Sequence, residues 1–468
     1  MRGGLGAHDL VADLPRHARG RGGARLQLAP RRARCAPRRL RPVPRRDQSG
    51  PGHRGAPGTS GGSGRQARTR VLFVVENLSV PTDDRVWRES CALRDLGCDV
   101  VVCCPQGRGA EAAAHEWRDG VEIHRFPGVP EGTGAGALGR EYLNAMVRIL
   151  RKVWQLDRRR PIDVVHVANP PDCLAIIAAS LRLRHDVRIV YDQHDLVPEL
   201  VETRFAGRRG LRRLAVALER ASMALADEVV VANETFATRA SSLRRVSPDR
   251  VSVVRNAPDR ETFARVERDE SLKRGKAHLV AYVGVMGPQD GAEIAVLAMA
   301  HLVGACGRSD VHAVFVGDGS ELPACRRLAE ALDVATAVEF VGWQDRRDVL
   351  RYLSAADVAL VPDPRSPLND RSSMIKVIEY MTLGVPFVAF DLPETVRTAR
   401  GAGRIVPGSH PADLARALDA LLDDPAARSL MAQRGVERAQ GPLGWDAARS
   451  NLERAYARLG VVGAEQSA

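Results

Sequence analysis

Apolar runs typical of β-strands alternate with amphipathic helical patterns from Arg70 onward, and this alternation constrains the fold more than any other feature. Buried strands separated by helices of about 10 to 15 residues are typical of a parallel sheet covered on both faces. The predicted strands begin at Arg70, Asp99, Val121, Asp163, Arg188, Glu228 and Val251, and then at His278, Val311, Ala337, Asp357, Pro386 and Gly403. The sequence therefore predicts an α/β protein with two doubly wound, Rossmann-like domains and a cleft between the carboxyl ends of both sheets.

The chain divides into four predicted segments, because 468 residues are too many for a single core. Residues 69–258 are predicted to form an N-terminal Rossmann-like domain, and residues 259–444 a C-terminal one. Residues 445–468 are predicted to form a helix that packs back on the N-terminal domain, followed by a tail. Residues 1–68 are predicted to be disordered, since they show no helical or strand periodicity.

The formal charge of +12 is concentrated in this first segment, which contains sixteen Arg and three Asp and leaves a net charge of −1 on the other 400 residues. The segment lacks the apolar stretch of a signal peptide. An Arg-rich segment could bind RNA or an anionic membrane surface. A segment without a specific role is the favoured interpretation, and loss of nucleic-acid binding on deletion of residues 1–68 would argue against it. With 4% aromatic residues, no specific nucleic-acid partner is expected.

The cysteines and the apolar runs indicate a cytoplasmic protein. No run approaches the roughly 18 apolar residues that a membrane span needs. The eight cysteines form no paired CxxC pattern and are interpreted as structural thiols in a reducing compartment. No His, Cys or carboxylate cluster has the spacing of metal ligands, so no metal site and no cofactor are predicted.

The stretch SSMIKVIEYMTLGVP predicts a helix that begins at an anion site. Ser372 or Ser373 is a good N-cap, and Gly384 suits the position after the helix. Lys376 and Glu379 are three residues apart and therefore project from the same face of the first turns. Unpaired amides and the helix dipole favour phosphate there. A surface helix with one solvated ion pair remains the alternative.

The loops that follow the predicted strands carry the other candidate residues. Three loops of the second half are glycine-rich, GVMGPQDG from Gly284, VGDGS from Val316 and FVGW from Phe340. Glycine allows a ligand to approach the backbone closely. Neither GxGxxG nor a P-loop is present, so dinucleotide and P-loop chemistry lack their fingerprints. In the first half, YDQHDLVPEL places His194 and Asp195 where a strand ends.

The combination of DDRVWRES, YDQHD, GVMGPQDG, VGDGS, FVGW and SSMIKVIEYMTLGVPFV resembles the retaining group 1 (family 4) glycosyltransferases of the GT-B architecture. The resemblance covers residues 70–459, and VGVMGPQDG with NDRSSMIKVIEYM resembles a bacterial subgroup associated with envelope and exopolysaccharide assembly. It implies metal-independent transfer of a hexose-type sugar, with retention, from a nucleotide-diphosphate sugar to a hydroxyl of a glycan or lipid-linked acceptor. A peripheral contact with the inner face of the membrane is compatible with such an acceptor.

The resemblance also implies roles for individual residues. Lys376, Glu379 and His194 would be catalytic, with Glu379 holding the ribose, Lys376 the leaving diphosphate, and His194 the sugar or acceptor. The donor-binding residues would be Gly284, Met286, Gly287, Gly317, Gly319, Val341, Gly342, Trp343, Arg371, Ser372, Ser373 and Met374. The acceptor-side residues would be Asn77, Asp84, Arg85 and Asp195, although for Asp84 and Arg85 a charge pair at a helix start is an equal alternative.

Three parts of the predicted site depart from the family pattern. Arg371 stands where the first glutamate of the donor helix is expected, and Val285 and Asp290 replace the arginine and lysine that clamp the diphosphate. Residues 76–79, Glu-Asn-Leu-Ser, replace a Gly-Gly turn. Lys376, with Arg371 or Arg365 nearby, could supply the missing charge. Two further readings therefore stay open: a nucleotide-sugar epimerase of the same architecture, and a non-catalytic nucleotide-sugar-binding homologue.

Overall fold

The structure is a computed structural model that describes residues 68–107, 109–127, 135–205, 207–243 and 246–461. Apart from Arg68, the predicted disordered segment 1–68 lies outside the described residues. Within these ranges, no helix combines the length and the apolar character that a membrane crossing requires.

The N-terminal half is an eight-stranded sheet with the order β3-β4-β2-β1-β5-β6-β7-β8. All neighbouring strands are parallel except β3 and β4. The strands are β1 Arg70–Val74, β2 Asp99–Pro105, β3 His115–Arg118, β4 Val121–Phe126, β5 Val164–Ala168, β6 Arg188–Gln193, β7 Glu228–Val231 and β8 Val251–Val253. The helices are α1 Asp84–Asp95, α2 Ala135–Arg159, α3 Leu174–Ser180, α4 Val197–Arg204, α5 Arg209–Leu225 and α6 Glu234–Ser241.

Strand β3 was not predicted from the sequence. Its four residues, HEWR, are mostly exposed and carry little apolar signal. It pairs with β4 through the two-residue turn Asp119-Gly120, in which both residues have positive φ, 47° and 79°. An Asp-Gly turn of this kind is a strong hairpin signal, so the turn chemistry, and not the hydrophobic pattern, specifies this strand.

The C-terminal half is a six-stranded parallel sheet with the order β11-β10-β9-β12-β13-β14. Its strands are β9 His278–Val283, β10 Val311–Val316, β11 Val338–Gly342, β12 Val358–Val361, β13 Phe387–Phe390 and β14 Gly403–Val406. The remaining helices are α7 Ala292–Gly304, α8 Leu322–Ala331, α9 Arg346–Ala355, α10 Ile375–Thr382, α11 Pro393–Ala399, α12 Pro411–Leu422, α13 Pro425–Gln440 and α14 Trp445–Arg458. Each sheet carries buried apolar clusters, as expected for parallel strands covered on both faces.

The last helix, α14, returns to the N-terminal half. Tyr456 is fully buried, and its hydroxyl lies 2.9 Å from Nδ1 of His166 on β5. Asn451 donates to the carbonyl of Val253 at 2.7 Å, and Arg458 donates to both carboxylate oxygens of Glu228 at 2.9 and 2.6 Å. The helix therefore belongs, by its packing, to the sheet from which it is most distant in sequence.

The predicted start of the donor helix at Ser372 or Ser373 is wrong. Helix α10 begins at Ile375, and Met374 is its N-cap with an extended backbone. The hydroxyl and the amide of Ser372 both donate to the carbonyl of Leu368, at 2.9 and 3.0 Å. Ser372 therefore closes the preceding loop and does not cap the helix. Gly384 follows the helix with a positive φ of 60°, as predicted.

Candidate active site

The glycine-rich loops after β9, β10 and β11 are bonded to one another at one edge of the C-terminal sheet. The amide of Gly284 donates to Val316 at 3.0 Å, and the amide of Gly317 donates to Gly342 at 2.9 Å. A Cβ atom added to Gly317, whose φ is 138°, would lie 1.9 Å from the carbonyl oxygen of Gly284. Glycine is therefore required by the packing of one loop on the next.

Lys376 lies next to Gly284 of these loops. Its Nζ is 3.0 Å from both carboxylate oxygens of Asp363, which follows β12, and 5.1 Å from the ring centroid of Tyr282. A Cβ atom on Gly284 would lie 3.5 Å from its Cε. Burial alone would lower the pKa of Lys376, but the Asp363 carboxylate outweighs burial and raises it. The lysine is thus charged and already paired.

Asp290 adds a second carboxylate to this region. Its Oδ2 accepts a hydrogen bond from the amide of Gly287 at 3.0 Å. Burial raises its pKa, and Lys376 acts in the opposite direction. The carboxyl groups of Asp363 and Asp290 therefore both interact electrostatically with the ammonium group of Lys376. The family pattern has two basic residues in this region. The amides of Met374, Ile375 and Lys376 donate no hydrogen bond to any residue that the structure describes, which is usual for a helix N-terminus and suits an anion.

Glu379 lies one turn further along α10, within electrostatic range of Asp84 and Arg88 in the N-terminal half. It is half-buried. Its pKa is raised to about 7, first by burial and then by the charge of Asp84, while Arg88 and Arg346 act in the opposite direction. Neither an ion pair nor a side-chain hydrogen bond joins Glu379 to another described residue. Glu379 is therefore a partly desolvated carboxyl group that a hydroxylated ligand can use.

Several side-chain contacts join the two halves of the protein. Asp84 on α1 forms an ion pair with Arg346 on α9. Asn233 donates to the carbonyl oxygen of Arg371 at 2.9 Å, and the guanidinium of Arg371 lies 3.6 Å from Glu199. Arg371 also donates to the carbonyl of Pro367 at 2.7 Å. Arg371 thus holds its own loop and the N-terminal half together.

His194 follows β6 and is held by Asp192, a residue that the sequence analysis did not single out. The Nε2 of His194 lies 2.6 Å from Oδ2 of Asp192, and its amide donates to Asn169 at 2.7 Å. Asp192 outweighs the burial of His194 and raises the pKa of the imidazole. Alternate residues of a strand share a face, and this rule applied to YDQHD would have found the pair.

Arg85 also contacts Asp192. It is 3% exposed and donates to both oxygens of Asp192, at 3.1 and 2.6 Å, and to the carbonyl of Val254 at 2.6 Å. Its Nε is also 3.2 Å from Glu89. The expected acceptor-side residue Arg85 is therefore buried, and it reaches the cleft only through Asp192 and His194.

The remaining candidates differ in exposure. Asn77 and Asp84 are exposed on the N-terminal half, and Asp195 is partly buried. Trp343, at 74% exposure, and Val285, at 62%, project from the glycine-rich edge. Ser373, by contrast, has a buried hydroxyl without a hydrogen-bond partner among the described residues. Exposed candidate residues therefore occur in both halves of the protein.

Several solved structures have the same arrangement of two parallel-sheet domains. Sucrose-phosphate synthase from Thermosynechococcus elongatus matches with a TM-score of 0.69 at 19% identity, covering 84% of this chain and 99% of that one. Anabaena Alr3699/HepE in complex with UDP-glucose matches with a TM-score of 0.64 at 16% identity, covering 84% and 100%. A putative UDP-N-acetylglucosamine 2-epimerase from Listeria monocytogenes matches with a TM-score of 0.56 at 14% identity, covering 84% and 97%. The architecture is therefore GT-B.

Each half of the chain matches a model of a protein family. Residues 83–257 match "Glycosyl transferase 4-like domain", and residues 277–424 match "Glycosyl transferases group 1". The chain belongs to the group 1 glycosyltransferases.

Curated relatives match a smaller part of the chain at higher identity. A GDP-mannose-dependent monoacylated alpha-(1-6)-phosphatidylinositol monomannoside mannosyltransferase from Corynebacterium glutamicum is 32% identical over 164 residues, 34% of this chain and 42% of its own. A D-inositol 3-phosphate glycosyltransferase from Thermobifida fusca is 28% identical over 252 residues, 51% of this chain and 56% of its own. The chain spans about half the length of the curated relatives it matches.

Proposed function

We propose that this protein transfers a hexose-type sugar from a nucleotide-diphosphate sugar to a hydroxyl group of a glycan or lipid-linked acceptor, with retention and without a metal ion. Glu379 carries the proposal. It is a partly desolvated carboxyl group one turn from the free amides of a helix N-terminus, and charges of the N-terminal half act on it. A carboxylate in this position suits the paired hydroxyls of a ribose. The family membership supports the same assignment.

In this mechanism the diphosphate lies against the first turn of α10. Its negative charge grows as its bond to the sugar breaks. The amides of Met374 and Ile375 and the ammonium group of Lys376 would stabilise that charge. His194, held by Asp192, approaches the sugar or the acceptor from the N-terminal half. The exposed Trp343 and the backbone of Val341 and Gly342 would line the base. The protein would act in the cytoplasm, where nucleotide sugars are made available.

The direct test is a screen of nucleotide sugars by thermal shift, followed by transfer assays with the stabilising donors. UDP-glucose and GDP-mannose are suitable first probes. Binding of one donor with turnover on a glycan or polyprenyl-linked acceptor would support the proposal. Failure of every nucleotide sugar to stabilise the protein would overturn it.

The pH dependence of donor binding tests the role of Glu379. Its pKa is raised to about 7, so the carboxyl group is mostly neutral at pH 6 and mostly ionised at pH 8. Since the ionised form accepts hydrogen bonds from ribose more strongly, the donor KM should be about tenfold higher at pH 6 than at pH 8. Glu379→Gln should raise KM, leave kcat nearly unchanged and abolish this dependence. A Gln variant that keeps the wild-type pH profile would contradict the assignment.

Metal independence is tested by chelation. Lys376 and the amides of α10 would stabilise the leaving diphosphate without a divalent ion, so transfer in EDTA should proceed within about twofold of the untreated rate. Activity that is lost in EDTA and restored by Mn²⁺ or Mg²⁺ would show that a metal ion supplies this charge.

The pairing of Lys376 with Asp363, and the nearby Asp290, favour a second candidate. A non-catalytic homologue would bind a nucleotide sugar without needing charge that grows during a reaction. Donor binding without transfer or donor hydrolysis, for any acceptor tested, would support it. An epimerase would need a carboxylate base over the sugar, and Arg371 occupies the position where that base is expected.

A further inference from the structure

Three side chains of the β3-β4 hairpin converge on one face. His115 lies directly opposite His124 in the register of the two strands, and Glu122 lies two residues before His124. The Nε2 atoms of His115 and His124 are 3.1 and 2.9 Å from the same oxygen, Oε1 of Glu122. The two imidazole centroids are 4.6 Å apart.

These distances are close to those of a tetrahedral zinc site. With metal-ligand bonds of about 2.05 Å, neighbouring ligand atoms lie about 3.3 Å apart. The ligand atoms of His115, Glu122 and His124 all lie within 4.8 Å of one another. Two imidazoles and one carboxylate are ligands that suit Zn²⁺, and a fourth position would remain for water.

The site is reachable from solvent. The side chain of His115 is 47% exposed and that of Glu122 19%, whereas that of His124 is 5% exposed and packs against the protein. Arg70 approaches the other oxygen of Glu122, at 3.9 Å, so Oε1 stays available.

A second group of potential ligands does not qualify. Glu89, His166 and Asp192 also lie within 4.8 Å of one another. All three are fully buried, so no path for an ion is open, and the guanidinium of Arg85 already contacts both carboxylates. A cation there would have to displace Arg85.

We infer that His115, Glu122 and His124 form a peripheral binding site for a divalent transition-metal ion, with Zn²⁺ as the fitting ion. Four strands separate β3 from β6, which carries Asp192. The site therefore lies outside the cleft, and its metal fastens the edge strand β3 to β4. Binding requires both rings to carry their proton on Nδ1, so that the two Nε2 atoms and Oε1 exchange their hydrogen bonds for bonds to the metal.

Zinc titration of the metal-free full chain, in competition with a chromophoric chelator, tests this inference. Wild-type protein at about 10 µM should bind one more equivalent of Zn²⁺ than His115→Ala does, and the added ion should raise its Tm. His115→Ala should weaken this site at least about tenfold, and Glu122→Gln should weaken it as well. His115 is exposed, so its replacement should leave the fold intact.

His312→Ala is the matched control. In the wild type, Nε2 of His312 lies 3.2 Å from Oε2 of Glu339. This pair contains one histidine and one carboxylate. This variant should bind zinc like the wild type. All variants retain the cysteines and the other histidines, so their difference isolates the hairpin site. Equal zinc binding by wild-type protein and His115→Ala, or equal loss in His312→Ala, would overturn the inference.

Discussion

Replacing Asp192 by asparagine should destabilise the protein by about 3 to 5 kcal/mol, because it leaves the buried guanidinium of Arg85 without its main counter-charge. Asp192 is fully buried and accepts from both Arg85 and His194. An amide cannot accept through both of its terminal atoms, so at least one of these hydrogen bonds is lost as well. Urea unfolding monitored by circular dichroism measures the change in the free energy of unfolding.

Asp446→Asn is the control for this prediction. Asp446 is 3.7 Å from Arg260, and both side chains are largely exposed. An exposed pair contributes little, so this variant should stay within about 0.5 kcal/mol of the wild type. The double variant Arg85→Met with Asp192→Asn should recover part of the loss, since it removes the uncompensated charge. A loss below about 1 kcal/mol in Asp192→Asn would show that the cation is stabilised elsewhere.

The buried group around Asp192 also explains how α14 is linked to the candidate site. Tyr456 bonds to His166, and Nε2 of His166 is 3.5 Å from both Asp192 and Glu89. Burial, followed by the charge of Asp192, raises the pKa of Glu89 to about 8. A neutral Glu89 reduces the number of negative charges that Arg85 has to balance. Helix α14 therefore packs against the buried residues that contact Asp192, and Asp192 in turn binds His194.

Much of the fold could be predicted because parallel strands buried on both faces are continuous apolar runs. The two six-residue strands β9 and β10 are examples, with nearly every residue buried. Strand β3 was missed because its residues are exposed and a turn specifies it. The start of α10 was misplaced because the hydroxyl of Ser372 bonds within the preceding loop. Local sequence does not show which of two competing hydrogen bonds a serine makes.

The candidate site was predictable as a set of loops but not as a set of pairs. His194 and Glu379 were predicted as site residues because His194 follows a strand and Glu379 lies on a helix with a recognisable pattern. The partner of Lys376 was not identified, since Asp363 lies thirteen residues away on the other side of a loop. Likewise, the contact of Arg85 with Asp192 spans 107 residues. Such pairs follow from tertiary packing, which periodicity does not encode.

Lys376→Met should lower kcat by about 10²-fold or more, because in the proposed mechanism Lys376 would oppose the charge that develops on the leaving diphosphate. The structure adds a complication that the sequence did not show. Lys376 is also the partner of the buried Asp363, so its removal should destabilise the protein by about 3 kcal/mol or more. A single substitution therefore cannot separate the catalytic effect from the structural one.

The double variant Lys376→Met with Asp363→Asn separates them. Removing both charges eliminates the uncompensated carboxylate, so stability should return to within about 1 to 2 kcal/mol of the wild type. The rate should remain about 10²-fold low, since neither methionine nor asparagine supplies positive charge to the diphosphate. Asp363→Asn alone should keep most of the activity, because it frees the ammonium group for the donor. If the double variant recovered both stability and kcat, Lys376 would be a structural partner of Asp363, and the amides of α10 alone would have to bind the leaving group.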